Sequence, residues 1–341
     1  MTTLKDLSRH LGLSVTQVSR ALNNHSDVSE ATKVRVAEAA KALDYQPNIA
    51  ARRLVTGRSG IVGLIYPETP DPADALAFSQ FITGLSTTFS RLGRQFMLHI
   101  SEGEDGGLAV YERLVRSRSI DGFVVNIPEV EDARVKFLRA QKIPFVLHGQ
   151  TMDEPDYPFY DIDNVAVGYD LTRHLIECGH RHIAIINGPH GASYVERRFI
   201  GYRRALKERG LELYPDFEIG GTMNEQLGLL ETIRLFQSGG PKPTAIVAGN
   251  MRIAKGIFSA LGAMSLSVPD DVSVVAHDDV LPDVPASDLP VPLTVTLAPL
   301  INSWEPLARF LSMSLDGADL AETQEIAQHE FVDGASVRVQ M

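Results

Sequence analysis

Val15, Thr16, Gln17 and Arg20 place a methyl pair, a hydroxyl, an amide and a guanidinium within about one and a half helical turns. These groups can read base edges in a DNA major groove. The valine can meet a thymine methyl, Thr16 and Gln17 can hydrogen-bond bases, and Arg20 can grip a guanine or a phosphate. Such chemistry requires a short helix with these side chains outward, and the surrounding run TLKDLSRHLGLSVTQVSRALN (residues 3–23) predicts one. Leu4, Leu7 and Leu11 recur at spacings of three and four, and Val15, Val18 and Leu22 do so after Gly12. That is the helical period. Gly12 can end the first helix in the left-handed conformation. Ser14 with Gln17 forms an S-x-x-Q capping box for the second, and Thr3 with Asp6 a weaker version for the first. Two helices with a tight turn fit a helix-turn-helix; they also fit two ordinary amphipathic helices of a bundle.

A third helix is expected from Ser29, with Val34, Ala37 and Leu43 inward. Asn48 can cap a further short segment, IAARRLVTG, which Gly57 can terminate. About eight residues make a marginal helix in isolation, so this one needs a partner to form.

Charge supports a division of labour. The 341 residues carry a net charge of −11, yet residues 1–58 hold nine Lys/Arg against five Asp/Glu. The basic end can meet phosphates, while the acidic remainder is repelled by them. A single cysteine, Cys178, excludes an internal disulfide and suits a reducing compartment. No signal-peptide pattern or membrane-length apolar run is present. These features predict a cytoplasmic protein with no membrane partner. Nucleophile-elbow, P-loop, H-E-x-x-H and cysteine-cluster motifs are missing, so neither catalysis, a metal nor a cofactor is expected.

From Gly60 short apolar runs alternate with helical segments. GIVGLIY (60–66), QFMLHI (95–100), GFVVNI (122–127) and IPFVLH (143–148) read as strands with helices between. HIAIING (182–188), a short strand near 217–220, TAIVAGN (244–250) and VSVVAH (272–277) repeat the pattern. This predicts two doubly wound parallel sheets split near residue 162. PLTVTL (292–297) is expected to cross back, and EIAQHEFV (325–332) to form one terminal strand. The expected fold class is therefore α/β behind a three-helix, helix-turn-helix head. The expected domains are 1–46, a linker 47–58, and 59–341. Its lobes would be about 60–162 plus 293–318, and 163–290 plus 319–341. Ligands of such sheets bind beyond the strand C-termini, between the lobes.

The headpiece resembles that of the lactose-repressor/galactose-repressor family of bacterial transcription regulators. The matching residues are Thr3-Leu4-Lys5-Asp6-Leu7, Gly12-Leu13-Ser14-Val15, Val18-Ser19-Arg20-Ala21-Leu22-Asn23, Val28-Ser29, Tyr45-Gln46-Pro47-Asn48 and Ala51-Arg52-Arg53-Leu54. The resemblance continues through His174-Leu175-Ile176, Gly179-His180-Arg181-His182-Ile183, Arg198 to Leu206, and Val274 to Asp279. It implies a helix-turn-helix head, a hinge helix and a two-lobed sensor of the periplasmic-binding-protein type. It also implies that Val15, Thr16 and Arg20 read the groove, flanked by Thr3, Ser14, Gln17, Ser19, Asn23 and Asn48. Ala51 and Leu54 would lie in the hinge helix, with Leu54 as an apolar wedge between base steps.

Carried over by position, Arg198, Asn250 and Asp278 become candidate effector contacts, with a guanidinium donor, an amide and a carboxylate suited to a polyol. His148 at a strand end and Phe78 near a helix start can complete the pocket. Met223 stands where relatives often place an aromatic, and its flexible thioether loosens that face. The implied partners are pseudo-palindromic double-stranded operator DNA, a small sugar and a second copy of the chain. The implied function is repression of a carbohydrate-utilisation operon, released by the sugar. The alternatives are a regulator with a nucleobase-like corepressor and, in a different class, a sugar-binding transport protein. Leu54→Ala is expected to weaken operator binding strongly while leaving effector affinity unchanged, as measured by fluorescence anisotropy and calorimetry.

Overall fold

A computed structural model describes residues 2–22, 27–45, 58–67, 75–101, 107–284 and 288–340. Asn23, Asn48, Ala51 and Leu54, and with them nearly all of the expected hinge, lie outside the described residues. The chain divides into two compact units, residues 1–60 and 61–341.

In the first unit α1 (Leu4–Leu11), α2 (Val15–Leu22) and α3 (Glu30–Ala42) close a small core of Leu7, Leu11, Val18, Ala21, Val36 and Ala39. The caps form as the sequence predicts. Asp6 N donates to Thr3 Oγ1 and Thr3 N to Asp6 Oδ2, and Gln17 N donates to Ser14 Oγ while Ser14 N donates to Gln17 Oε1. Each pair satisfies two of the amides that a helix start leaves unbonded. Gly12 ends α1 at φ 66°. The inner face of α3 differs from expectation: Val36 and Ala39 are buried, whereas Val34 is 55% exposed and Ala37 is also exposed. The same helical spacing set two residues further along fits the partner helices.

The second unit holds β1 (Ile61–Pro67), α4 (Ala75–Arg91), β2 (Gln95–Ser101), α5 (Leu108–Arg116), β3 (Gly122–Asn126), α6 (Ala133–Ala140), β4 (Phe145–His148) and β5 (Phe159–Ile162). There follow α7 (Asn164–Glu177), β6 (Ile183–Asn187), α8 (Ser193–Glu208), β7 (Glu218–Gly220), α9 (Glu225–Gln237), β8 (Ala245–Ala248), α10 (Met251–Ala263) and β9 (Ser273–Asp278). The chain closes with β10 (Thr294–Leu297), α11 (Trp304–Asp316), β11 (Gln324–Ala327) and β12 (Glu330–Val332). Two six-stranded sheets result, ordered β11-β5-β4-β3-β1-β2 and β12-β10-β9-β8-β6-β7. Their pairs are parallel except β10 with β12. Strands covered on both faces need apolar residues on both, and all five residues of β6 are buried accordingly.

The sheet pairings move the expected lobe boundaries. Strand 294–297 pairs with β9, from Thr294↔Val275 to Leu297↔Asp278, and so completes the second sheet instead of crossing to the first. The single strand expected over 325–332 is two strands. β11 extends the first sheet beside β5 and β12 the second beside β10, with Gln328 and His329 between. β5, unforeseen as a strand, precedes the first crossing. Three passages thus connect the sheets: 162–164, 298–303 and 328–329.

The second lobe packs two helix pairs almost backbone to backbone. A Cβ on Gly168 of α7 would stand 2.1 Å from Arg198 O, and one on Gly201 of α8 2.0 Å from Val165 O. Gly228 of α9 and Gly256 of α10 face Ile253 O and Glu225 O at 2.1 and 2.0 Å in the same way. Gly201→Ala must therefore push the helices apart. Overpacking of this kind costs about 1–3 kcal/mol, and the expected lower urea midpoint should appear with an unchanged m-value.

Candidate ligand cavity and nucleic-acid interface

In the first unit the predicted reading residues lie on the surface of α2. Val15 is 39% exposed, Thr16, Gln17 and Arg20 are exposed, and Ser19 is half-buried. Arg20 is not held outward alone. Its Nε lies 3.2 Å from Asp27 Oδ1 and its Nη2 2.7 Å from Asp27 Oδ2. Exposed pairs of this kind are worth at most about 1 kcal/mol, so a phosphate or guanine can displace the aspartate.

In the second unit a cavity of about 730 Å³ opens where the strand C-termini of the two sheets face each other. That volume lies within the roughly 300–1,000 Å³ common for small-molecule sites. The first lobe contributes an aromatic wall. Tyr66 is the penultimate residue of β1 and Phe78 lies in the first turn of α4, their rings 4.5 Å apart. Phe81 stacks at 5.5 Å on His148, the last residue of β4. Register places His148 beside Asn126 at the end of β3, and His148 Nδ1 lies 2.9 Å from Asn126 Oδ1.

The second lobe contributes the polar groups. Arg198 on α8 is buried, donating from Nε to Asn164 Oδ1 at 2.9 Å and from Nη1 to Gly249 O at 2.7 Å. Its guanidinium lies over the Tyr194 ring. Tyr194 Oη is 3.0 Å from Met223 Sδ, so the thioether lines the cavity with an aromatic against it. Asn250 caps α10, its Oδ1 accepting from Ile253 N, while its Nδ2 reaches Met223 O at 3.3 Å.

At the end of β9 the acid that lines the cavity is Asp279, not the expected Asp278. β9 ends at Asp278, whose carboxylate turns back to accept from Val280 N at 2.7 Å. Asp279 lies one residue further along and faces inward. His277, fully buried, sits between Thr296 Oγ1 at 3.0 Å and Asp279 Oδ1 at 2.9 Å. Burial opposes charge on Asp279, yet His277, Arg198 and His148 hold its carboxyl below the usual range. Burial pushes Asp278 the other way. A second acid, Asp161 at the first crossing, escaped the sequence reading as a pocket residue. Burial pushes it up to about 6, despite donors from Ile162 N, Gln150 and Asn164. The only signal for it was its place in the run Asp161-Ile162-Asp163-Asn164, read as a helix start.

Of the six expected contacts, Phe78, His148, Arg198, Met223 and Asn250 come together and Asp278 does not. The site can engage an uncharged polyhydroxylated molecule. Asp279 accepts, Arg198 donates, and the aromatic wall meets apolar faces. Among the described residues no His/Cys/Asp/Glu group has the arrangement of a metal site, and no helix is long and apolar enough to cross a membrane.

Burial lowers His148 to about 4 from its usual 6.5. The folded chain then refuses a proton that the unfolded chain accepts. Stability from this group is complete above pH 6.5 and falls as the pH drops towards 4. With the ring partly open to the cavity, about 2 kcal/mol is at stake. In urea melts, His148→Gln should shrink the stability difference between pH 7 and pH 4.5 by that amount.

Comparison with known proteins agrees with both units. Residues 3–48 match the family described as bacterial regulatory proteins, lacI family. Residues 59–295 match the periplasmic binding proteins and sugar binding domain of the LacI family. The helix-turn-helix-type transcriptional regulator AglR of Rhizobium meliloti (strain 1021) is 37% identical over 335 residues, covering 98% of this chain and 93% of that one. The ribose operon repressor of Escherichia coli (strain K12) is 30% identical over 282 residues, covering 82% and 84%. A solved transcriptional regulator CelR–cellobiose complex superposes with TM-score 0.71 at 25% identity, covering 98% of this chain and all of that one.

Proposed function

This chain belongs to the LacI family of bacterial regulatory proteins, and we propose on that basis that it represses a carbohydrate-utilisation operon until a small sugar releases it. The observation that carries the sugar is the cavity itself, which sets a charged acceptor, a buried guanidinium and an aromatic wall around about 730 Å³. Sugars offer hydroxyls to the first two and C–H faces to the third. A relative named as the ribose operon repressor and a structural neighbour in complex with cellobiose support that class.

α2 supplies the reading face, with Val15, Thr16, Gln17 and Arg20 toward base edges. One headpiece covers few base pairs, so a twofold dimer on a pseudo-palindrome is the arrangement that gives specificity. Sugar in the cavity draws the lobes together, and by linkage operator and sugar weaken each other's binding. The work takes place in the cytoplasm, where the operator is.

Thermal-shift screening against mono-, di- and oligosaccharides, sugar phosphates and purines tests the reading. A ligand at a hundredfold its Kd adds about 2.7 kcal/mol. A sugar hit is expected to disappear in Asp279→Asn and persist in Asp278→Asn. The reverse pattern would return the acceptor role to Asp278, and hits confined to purines would overturn the sugar.

A further inference from the structure

Away from the three covalent passages, the lobes meet again at the cavity's rim. The loop after β3 carries Ile127, Pro128, Glu129 and Val130; the loop before α8 carries Gly191 and Ala192. Val130 N donates to Gly191 O at 2.8 Å, and Ser193 N donates to Pro128 O at 2.9 Å. Between these two bonds Glu129 and Ala192 stand opposite each other as an antiparallel β-bridge. A third tie runs from Arg197 Nη2 to Thr151 O at 2.7 Å.

Both sides of this bridge are built to hold their shape. On the first lobe, buried Asp132 and Arg134 form an ion pair. Asp132 accepts from Glu129 N at 3.1 Å, and Arg134 Nη2 donates to Asn126 O and Ile127 O. Ile127 is held at φ 50°. A β-branched residue adopts that left-handed conformation only where its surroundings impose it. On the second lobe, the bridge joins the first turn of α8, the helix that carries Tyr194 and Arg198 into the cavity.

We infer that this main-chain bridge is a latch that positions α8 against the first lobe and sets the resting width of the ligand cavity. Its two bonds form between backbone groups, so any side chains compatible with the turns can keep it. Opening it would carry Tyr194 and Arg198 away from Ile127 and Pro128, which line the same cavity. The functional consequence rests on the sugar-sensor reading; the latch itself does not.

Geometry supplies two tests that use neither sugar nor DNA. A pair that is flanked by widely spaced hydrogen bonds in this way, and exchanges none itself, has its Cα atoms about 4.5 Å apart, within the roughly 4.4–6.8 Å that a disulfide spans. The full-length Glu129→Cys/Ala192→Cys chain, oxidised with diamide, should form the 129–192 cross-link within minutes, identified by mass spectrometry. Neither single variant should cross-link to Cys178. The second test removes one donor. Ser193 is the first residue of α8, where proline is tolerated, and Ala192 before it has φ −72° and ψ 127°, compatible with a following proline. The Ser193 hydroxyl has no hydrogen-bond partner among the described residues. Ser193→Pro should raise hydrogen exchange at the Val130 amide on the order of tenfold, and Ser193→Ala should not. A double-cysteine chain that stays reduced, or a wild-type Val130 amide exchanging as fast as an exposed one, would overturn the latch. If Ser193→Pro does not fold, the cysteine pair and wild-type exchange still decide.

Discussion

No side chain fits between α7 and α8 at Gly168 and Gly201, and that exclusion fixes where Arg198 stands. Its carbonyl lies against Gly168, one turn into α7, while its guanidinium reaches Asn164 at the start of the same helix. A buried guanidinium is costly unless its donors are met. Here Asn164 and Gly249 O meet two of them, and Asp279 and Asp161 supply negative charge nearby. The helix pair, the first crossing and the cavity floor are therefore one structure. A methyl group at Gly168 or Gly201 would disturb all three.

The same economy governs the acids. Two adjacent aspartates at the end of β9 have opposite fates because the strand stops between them. Asp278 folds back onto the turn, and Asp279 is drawn toward His277 and Arg198. Asp161 pays for its place at the crossing with a raised pKa, offset in part by three donors. Buried charge in this protein is kept where it meets a partner, a capped amide or the cavity.

Much of the fold was legible in the residues. The capping boxes at Thr3 and Ser14, the glycine that ends α1 and the alternation of apolar strands with helices all rest on short-range rules, and all are present. Five cavity residues were also foreseen. The misses share one cause, which is that local pattern does not say which neighbour an element chooses. Val34 and Val36 both fit the period of α3, and only packing against α1 and α2 buries Val36. The run 325–332 reads as one strand, yet its halves complete different sheets.

Already legible along the chain are the division into a basic reading head and an acidic two-lobed body, and five of the groups that line the cavity. Charge balance, helical period and strand alternation depend only on residue type and order. Tertiary structure decided that Asp279 and not Asp278 meets the cavity, that Arg20 rests on Asp27, and that β10 stays with the second sheet. It also decided that two loops more than sixty residues apart bond across the rim. Each of those outcomes depends on how strands and helices register against partners distant in the chain, where a shift of one residue reverses which side chain points inward.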